Sequence, residues 1–346
     1  MAPLRVGLIG YGLAGRVFHA PLIAASPDLT LAAVVTRDPS RRAALATAHP
    51  TAEILDDPEQ LWSRSIDLVV VATPNRSHAP LAVAALSAGL PVVVDKPFAP
   101  TTTAARAIID EARARNLLLT VFQNRRWDGD FLTVQHLITT GALGTVRRFE
   151  SRFERWQPVP KPGWRELGDP DDAGGLLFDL GAHTIDQALQ LFGPVHTVYA
   201  ELDRRRPGVA IDDDAFVALH HASGVRSHLW MSKVAAQRGP RFRVLGDRAA
   251  FTKHGLDGQE PALAAGTVPT SPDWGEEPAD RWGLLGDDAP QPIRTLPGAY
   301  PQFYSRVAHA LRTNTPPPVA PADALAALTI IEAARRSAET GTVIAL

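Results

Sequence analysis

The 346-residue sequence contains no cysteine. That excludes disulfides, thiolate metal sites and a cysteine nucleophile, and it fits a reducing, cytoplasmic setting. An excess of either charge is missing as well: 35 Lys and Arg stand against 37 Asp and Glu, a formal net charge of −2. A nucleic-acid or anionic-membrane binder carries a basic excess, so neither partner is expected. No apolar run approaches the ~18 residues of a membrane span. The chain passes directly into Leu4–Ile9, an apolar run of strand type, and shows no cationic, cleavable leader. Its 30 prolines and 26 glycines follow no repeat period and fall mostly at element ends. What is present is an ordinary globular composition, 45% hydrophobic and 21% charged, in a chain longer than one core usually serves. Two domains are expected.

The first strand ends in Gly10-Tyr11-Gly12-Leu13-Ala14-Gly15, followed by a helical stretch over 16–25. This is G-x-G-x-x-G between a strand and a helix, the context a dinucleotide-binding turn requires. Gly10 allows the tight turn, Gly12 lets a pyrophosphate approach the backbone, and Gly15 lets the helix pack on the strand. Strand and helix patterns then alternate to Phe122, with largely apolar strands. Such alternation predicts a parallel sheet covered on both faces, a Rossmann domain over 1–122.

The end of the second strand chooses the cofactor. NAD enzymes place an acidic residue there, about 20 residues past the glycines, to bind the ribose 2′-hydroxyl. Here Thr36 occupies that position and Arg37, Arg41 and Arg42 follow. A 2′-phosphate suits a hydroxyl and guanidinium groups, so NADP is favoured over NAD. Asp38-Pro39-Ser40 reads as a turn and helix cap. Ligands bind beyond the carboxyl ends of such strands. Those ends carry Thr73-Pro74-Asn75, Asp95-Lys96-Pro97 and a cluster from Gln123 and Asn124 through Arg126 to Asp128. Lys96 has two readings: a strand-end lysine paired with Asp95, or an ammonium that holds a substrate oxygen.

From 123 to 346 the pattern changes to mixed-polarity strands joined by hairpin signals such as Ala222-Ser223-Gly224. These predict an α+β domain with a largely antiparallel sheet. Phe149 and Phe153 alternate with Arg148, Glu150, Arg152 and Glu154, as in a sheet with one helix-packed face and one open, charged face. Residues 257–301 read as a proline-rich excursion with little regular structure, and 322–339 as a final core helix. Asp212-Asp213-Asp214 reads as a solvated turn. His220, His221 and His228 cannot all converge from neighbouring strands, and no thiolate or carboxylate spacing completes a metal site. A Gly-x-Ser-x-Gly nucleophile elbow is absent.

One stretch, Gly174-Gly175 through Asp186-Gln187 to Phe192, winds as an amphipathic helix. Ala182, Ile185, Leu189 and Phe192 share one side; Asp179, His183, Asp186 and Gln190 share the other. That polar face looks either at water or at a substrate.

Asp95-Lys96-Pro97 resembles the Glu-Lys-Pro motif of the Gfo/Idh/MocA oxidoreductases, with Asp in place of Glu, and Asp179-Leu-Gly-Ala-His183 resembles that family's catalytic Asp-x-x-x-His. The glycine loop, Asn124-Arg-Arg-Trp-Asp128, Gly239-Pro-Arg-Phe242 and Gly255–Gln259 are similar to its NADP-dependent scyllo-inositol dehydrogenase branch. The resemblance implies an NADP-dependent oxidoreductase of a secondary hydroxyl or ketone on a cyclitol or sugar. In it, His183 is the general base, Asp179 its orienting group and Lys96 the alkoxide stabiliser. It further implies cofactor contacts from Gly10 to Gly15, Thr36, Arg37, Arg41, Thr73, Pro74, Asn75, Lys96, Pro97, Trp164 and Arg165. Asn124, Arg126 and Asp186 are expected to contact substrate. The open sheet face is expected to join copies into a homo-oligomer, and the final helix to return near the cofactor domain. A non-catalytic NADP-binding regulator and an imine or biliverdin-type reductase are the alternatives on the same fold.

Overall fold

Six short strands built almost wholly from Val, Leu, Ile and Ala organise the first unit. They are β1 (Leu4–Ile9), β2 (Leu29–Val35), β3 (Glu53–Leu55), β4 (Leu68–Val71), β5 (Val92–Asp95) and β6 (Leu119–Phe122). Every pairing is parallel, in the order β3-β2-β1-β4-β5-β6. β4, β5 and β6 are buried along their whole length, as strands covered on both faces must be. The chain order reverses between β1 and β4, which places the glycine-rich turn at the switch point where α/β sheets bind ligands. The structure is a computed structural model and describes residues 2–160 and 172–346. Trp164 and Arg165 lie outside the described residues.

This unit comprises the chain to Asn124 together with 259–274 and 299–325. The two later segments fill a side of it that the sequence pattern assigns to the second half. Helix Gln259–Ala264 packs on the helical segment Ala14–His19 that follows the glycine turn. Helix Pro301–Thr313 inserts Phe303 and Tyr304, both fully buried, against Phe122; the Phe122–Phe303 rings meet edge-on at 4.9 Å. One buried amide ties the two segments: Gln259 Oε1 accepts from Trp274 Nε1 (3.0 Å) and from the Tyr300 amide (2.8 Å).

The second unit holds a nine-stranded sheet. Its strands are β7 (Val146–Glu154), β8 (Val195–Asp203), β9 (Asp214–His221), β10 (Arg226–Ser232), β11 (Phe242–Gly246), β12 (Ala250–Lys253), β13 (Gly283–Gly286), β14 (Gln291–Ile293) and β15 (Ile344–Ala345). The order is β14-β13-β12-β11-β7-β10-β9-β8-β15, antiparallel except where β7 and β10 run together. β13 and β14 fall inside 257–301, which therefore has more regular structure than its prolines imply. Side chains alternate as a half-covered sheet requires: β9 is buried at every second residue. Phe149 and Phe153 face helix Ala182–Phe192 and are fully buried. On the opposite face the Arg152 guanidinium stacks over Trp230 at 4.0 Å and pairs with Glu150 at 2.9 Å.

The Asp212–Asp214 run is not a solvated turn. Asp213, 2% exposed, accepts from the Arg205 amide and from Arg206 Nε (2.8 Å). Asp212 accepts at 2.7 Å from the Leu177 amide and so caps the helical segment that leads to His183. Burial pushes the Asp212 carboxyl up, and those amide bonds pull against it.

Close backbone approach fixes the glycine turn. A Cβ on Gly15 would stand 2.1 Å from the Gly10 carbonyl oxygen, where only backbone movement could relieve it. Gly15→Ala should therefore destabilise the protein by about 3 kcal/mol in urea unfolding; an unchanged midpoint would contradict this packing.

Candidate active site

The dinucleotide turn comes first. Gly10 adopts φ +101° with its α-carbon against the Ala72 carbonyl, so β1 and β4 meet at the turn. The Tyr11 ring is buried, edge-on to His49, which leaves its backbone alone in the loop. Leu13 stands 56% exposed at the loop tip. Residues 14–19 wind as a π-helix, a wide turn common at functional sites.

The three arginines after β2 have different duties. Arg37 is drawn to the Asp56 carbonyl and the Asp57 carboxylate. Arg42 donates to the Thr36 carbonyl at 3.2 Å. Arg41 points back to the glycine turn, its Nη1 4.0 Å from where a Gly12 Cβ would sit. Asp38 caps the helix Pro39–Ala48, accepting from the Arg41 amide at 2.9 Å, as the Asp-Pro-Ser pattern implies. Thr36 is buried at the end of the strand. The cradle of backbone, Gly12 and one guanidinium fits the phosphates of a dinucleotide.

At the ends of β4 and β5, Thr73 and Lys96 are half-buried, Asn75 and Pro97 are buried and Pro74 is exposed. The Lys96–Pro97 peptide is cis. Asn124, 4% exposed, opens the short turn Asn124–Trp127 after β6.

In the second unit, the stretch around His183 departs from a continuous α-helix. Residues Leu177–Gly181 form a π-helix and Ala182–Phe192 an α-helix. Asp179 lies in the wider turn, half-buried, and lines a pocket with Arg206, Asp213 and Lys233. The face read as polar is not wet: His183 is 3% exposed and Asp186 1%, while Gln190 is exposed. Ala182, Ile185 and Phe192 are buried as the apolar stripe requires, but Leu189 is only half-buried.

Asp186 and Arg126 face each other in a bidentate pair, with Nε–Oδ2 at 2.8 Å and Nη2–Oδ1 at 2.6 Å. Two residues expected to contact substrate hold each other, and tie the His183 helix to the turn after β6.

Beneath this helix lies a network the sequence reading did not identify. Gln187, fully buried, donates to the Arg125 carbonyl (2.9 Å) and accepts from Arg241 Nη2 (2.7 Å). Arg241 also donates to Ser151 Oγ, and its guanidinium lies over Phe153 at 4.2 Å and Phe242 at 4.0 Å. Arg125 approaches the Phe153 ring at 4.9 Å, and the His183 ring is 6.4 Å from it. The sequence signals were Asn124-Arg-Arg-Trp-Asp128 and Gly239-Pro-Arg241-Phe242, which marked the place without the role.

His221 is turned inward, between the Gly193 carbonyl (2.9 Å) and Ser227 Oγ (2.8 Å), and burial pushes its imidazole down. His220 and His228 lie on the other face, beside His196 and Phe216 respectively.

Two outcomes follow. Arg126→Ala removes the bidentate partner of a buried carboxylate and should cost about 3–5 kcal/mol of unfolding free energy. A loss below 1 kcal/mol, roughly the value of a surface pair, would place Asp186 in a wetter setting than described. The second concerns Asp130, 2% exposed, which burial pushes up to about 6, Arg241 and Lys253 pulling it down and Asp257 pushing it further up. The folded state then binds a proton that the unfolded state has released between the ordinary carboxyl value of 3.8 and about 6. Stability must fall as pH rises through that window. Asp130→Asn should flatten this slope in urea titrations; an unaltered slope would assign it to another group.

Residues 4–123 match the profile of the "Oxidoreductase family, NAD-binding Rossmann fold", and residues 135–346 that of the "Oxidoreductase family, C-terminal alpha/beta domain", the two halves of Gfo/Idh/MocA proteins. The chain is 40% identical over 342 residues to the uncharacterized oxidoreductase YdgJ of Escherichia coli K12, covering 97% of this chain and 96% of that protein. It is 32% identical over 349 residues to the scyllo-inositol 2-dehydrogenase (NADP(+)) IolW of Bacillus subtilis 168, covering 99% and 96%. The crystal structure of the Bacillus subtilis protein YvaA, described as an oxidoreductase, aligns over 100% of both chains with a TM-score of 0.93 and 32% identity. Among the described residues no helix is long and apolar enough to cross a membrane. With both halves matched over nearly its whole length, the chain belongs to the Gfo/Idh/MocA family of oxidoreductases.

Proposed function

We propose that this protein is an NADP-dependent dehydrogenase or reductase acting on a secondary hydroxyl or ketone of an uncharged cyclitol or sugar. The observation that carries the cofactor choice is Arg41, whose guanidinium turns to Gly12 while Thr36 occupies the usual carboxylate position. The residues that would hold the dinucleotide are the backbone of 10–15, Thr36, Arg41, Thr73 and Asn75. The cofactor supplies the hydride chemistry at its nicotinamide. The chain supplies proton and charge management. The His183 imidazole takes the hydroxyl proton during oxidation and returns it during reduction. The Lys96 ammonium stabilises the oxyanion that develops. Asp179 steadies the approach to His183 from the preceding turn, and Asn124 offers an amide to substrate hydroxyls. The Arg126–Asp186 pair presents no net charge, which suits a neutral polyol. Similarity to IolW supports a cyclitol first and a sugar second.

The reading includes a cytoplasmic homo-oligomer joined through the open sheet face. There Trp230 and Phe216 stack at 5.1 Å beside the Arg152–Glu150 pair, an amphipathic surface suited to a second copy.

A panel of inositols and aldoses assayed for NADP⁺ reduction tests the proposal. Turnover should appear with a cyclitol or sugar, and Lys96→Ala and His183→Ala should each lower kcat by about 10²–10⁴ while NADPH still binds. Arg41→Ala should weaken NADPH binding about ten-fold and leave NADH binding nearly unchanged. Full turnover in Lys96→Ala, or tighter binding of NADH than NADPH by the unaltered protein, would contradict it.

A further inference from the structure

Behind Lys96 the first unit buries four polar side chains that the proposed reaction does not use. Asp95 is 7% exposed, and His19, His78 and Tyr304 are fully buried, drawn from four different elements: the end of β5, the helix of the glycine turn, helix His78–Ser87 and helix Pro301–Thr313. They connect. Tyr304 Oη lies 2.6 Å from His19 Nδ1, His19 Nε2 lies 3.7 Å from Asp95 Oδ1, and that oxygen accepts from the Lys96 amide at 2.8 Å. On the other side, His78 Nδ1 faces the Pro97 carbonyl at 2.8 Å and Nε2 the Thr73 carbonyl at 2.9 Å. The imidazole thus stands between the lysine turn and the end of β4, with one ring N–H to donate to one of the two carbonyls.

Filling a core does not call for this arrangement. A buried carboxylate is costly, and apolar residues of like volume serve packing as well or better. Here the carboxylate sits against the one turn that carries the proposed catalytic ammonium. Burial pushes the Asp95 carboxyl up, but His19, Lys96 and His78 outweigh it and hold it below the usual carboxylate range. Burial pushes the His78 imidazole down, against Asp95 and the two carbonyls. When the Tyr304 hydroxyl donates to Nδ1, the His19 ring proton stands on Nε2, on the side of Asp95.

We propose that Asp95, His19, His78 and Tyr304 form a positioning set for Lys96: His78 fixes the turn, and Tyr304 acts through His19 to keep a carboxylate beside the ammonium. The inference rests on the reading of Lys96 as the oxyanion-holding group. It also ties the dinucleotide helix, which carries His19, to the lysine turn.

Reactivity of the amine reads this without any substrate. The chain has four lysines, Lys96, Lys161, Lys233 and Lys253, so acylation at a fixed, mildly alkaline pH can be followed residue by residue by mass spectrometry. The labelling rate reports how the turn holds the amine. Asp95→Asn should therefore change Lys96 acylation about ten-fold, with Lys233 and Lys253 as internal controls. Tyr304→Phe, which removes one hydroxyl, should do the same to a smaller extent. It should also lower kcat on the best polyol about ten-fold with the KM for NADPH unchanged. Asp95→Glu retains the charge and should label like the unaltered protein, and Tyr304→Phe should add nothing to Asp95→Asn. A purely structural role predicts a lower unfolding midpoint for Tyr304→Phe with Lys96 labelling unchanged, and that result, or additive effects in the double variant, overturns the proposal. Failure of the underlying reading shows separately, as full turnover by Lys96→Ala.

Discussion

Backbone packed against backbone at one turn sets the rest of the first unit. Gly15 meets the Gly10 carbonyl and Gly10 meets the Ala72 carbonyl, each with no room for a Cβ. The helix that follows is therefore seated directly on the sheet. That seating brings the His19 ring to 4.3 Å from Phe122 and its Nε2 toward Asp95. It also leaves the turn open where Arg41 points. Cofactor cradle and lysine turn are two consequences of one close approach.

The second unit is governed by a different constraint: cations kept out of water need partners. Arg125 and Arg241 are 6% and 2% exposed, and Arg206 is 5% exposed. Gln187, Ser151, Asp213 and the face of Phe153 receive them. These partners surround the helix of His183, so the rotation of that helix is fixed by polar contacts as well as by Ile185 and Ala182. Arg126 and Asp186 add a second clamp. Such fixed dipoles need little reorganisation when charge develops nearby, which is the condition for electrostatic catalysis.

The Rossmann half was legible because its signals are local. The glycine spacing, the apolar strands and the Asp38 cap each depend on a few neighbouring residues, and each is present in the structure. The returns of 259–274 and 299–325 to that unit were not legible, since nothing in Gln259 or Phe303 names a distant partner. β3 and β14, three residues each, are too short for an alternation to register. The helix of His183 was found, but a uniform winding hid the π-turn at Leu177–Gly181, and its polar face, left open between water and substrate, is buried at His183 and Asp186. Asp212 and Asp213 were misread for a related reason: a like-charge run suggests solvent unless the amides and guanidinium it meets are known. Tyr304 and His19 carried no motif that named a role, and Gln187 stood in the His183 stretch with no role assigned.

Hydride transfer between a polyol carbon and an NADP cofactor carries the isotope of that carbon to the nicotinamide. The protein is incubated with NADP⁺ and scyllo-inositol or another cyclitol deuterated at its ring carbons, and the reduced nicotinamide is weighed by mass spectrometry. Direct hydride transfer predicts one deuterium per dinucleotide reduced. Tight NADPH binding with no deuterium gained from any cyclitol or sugar would contradict it.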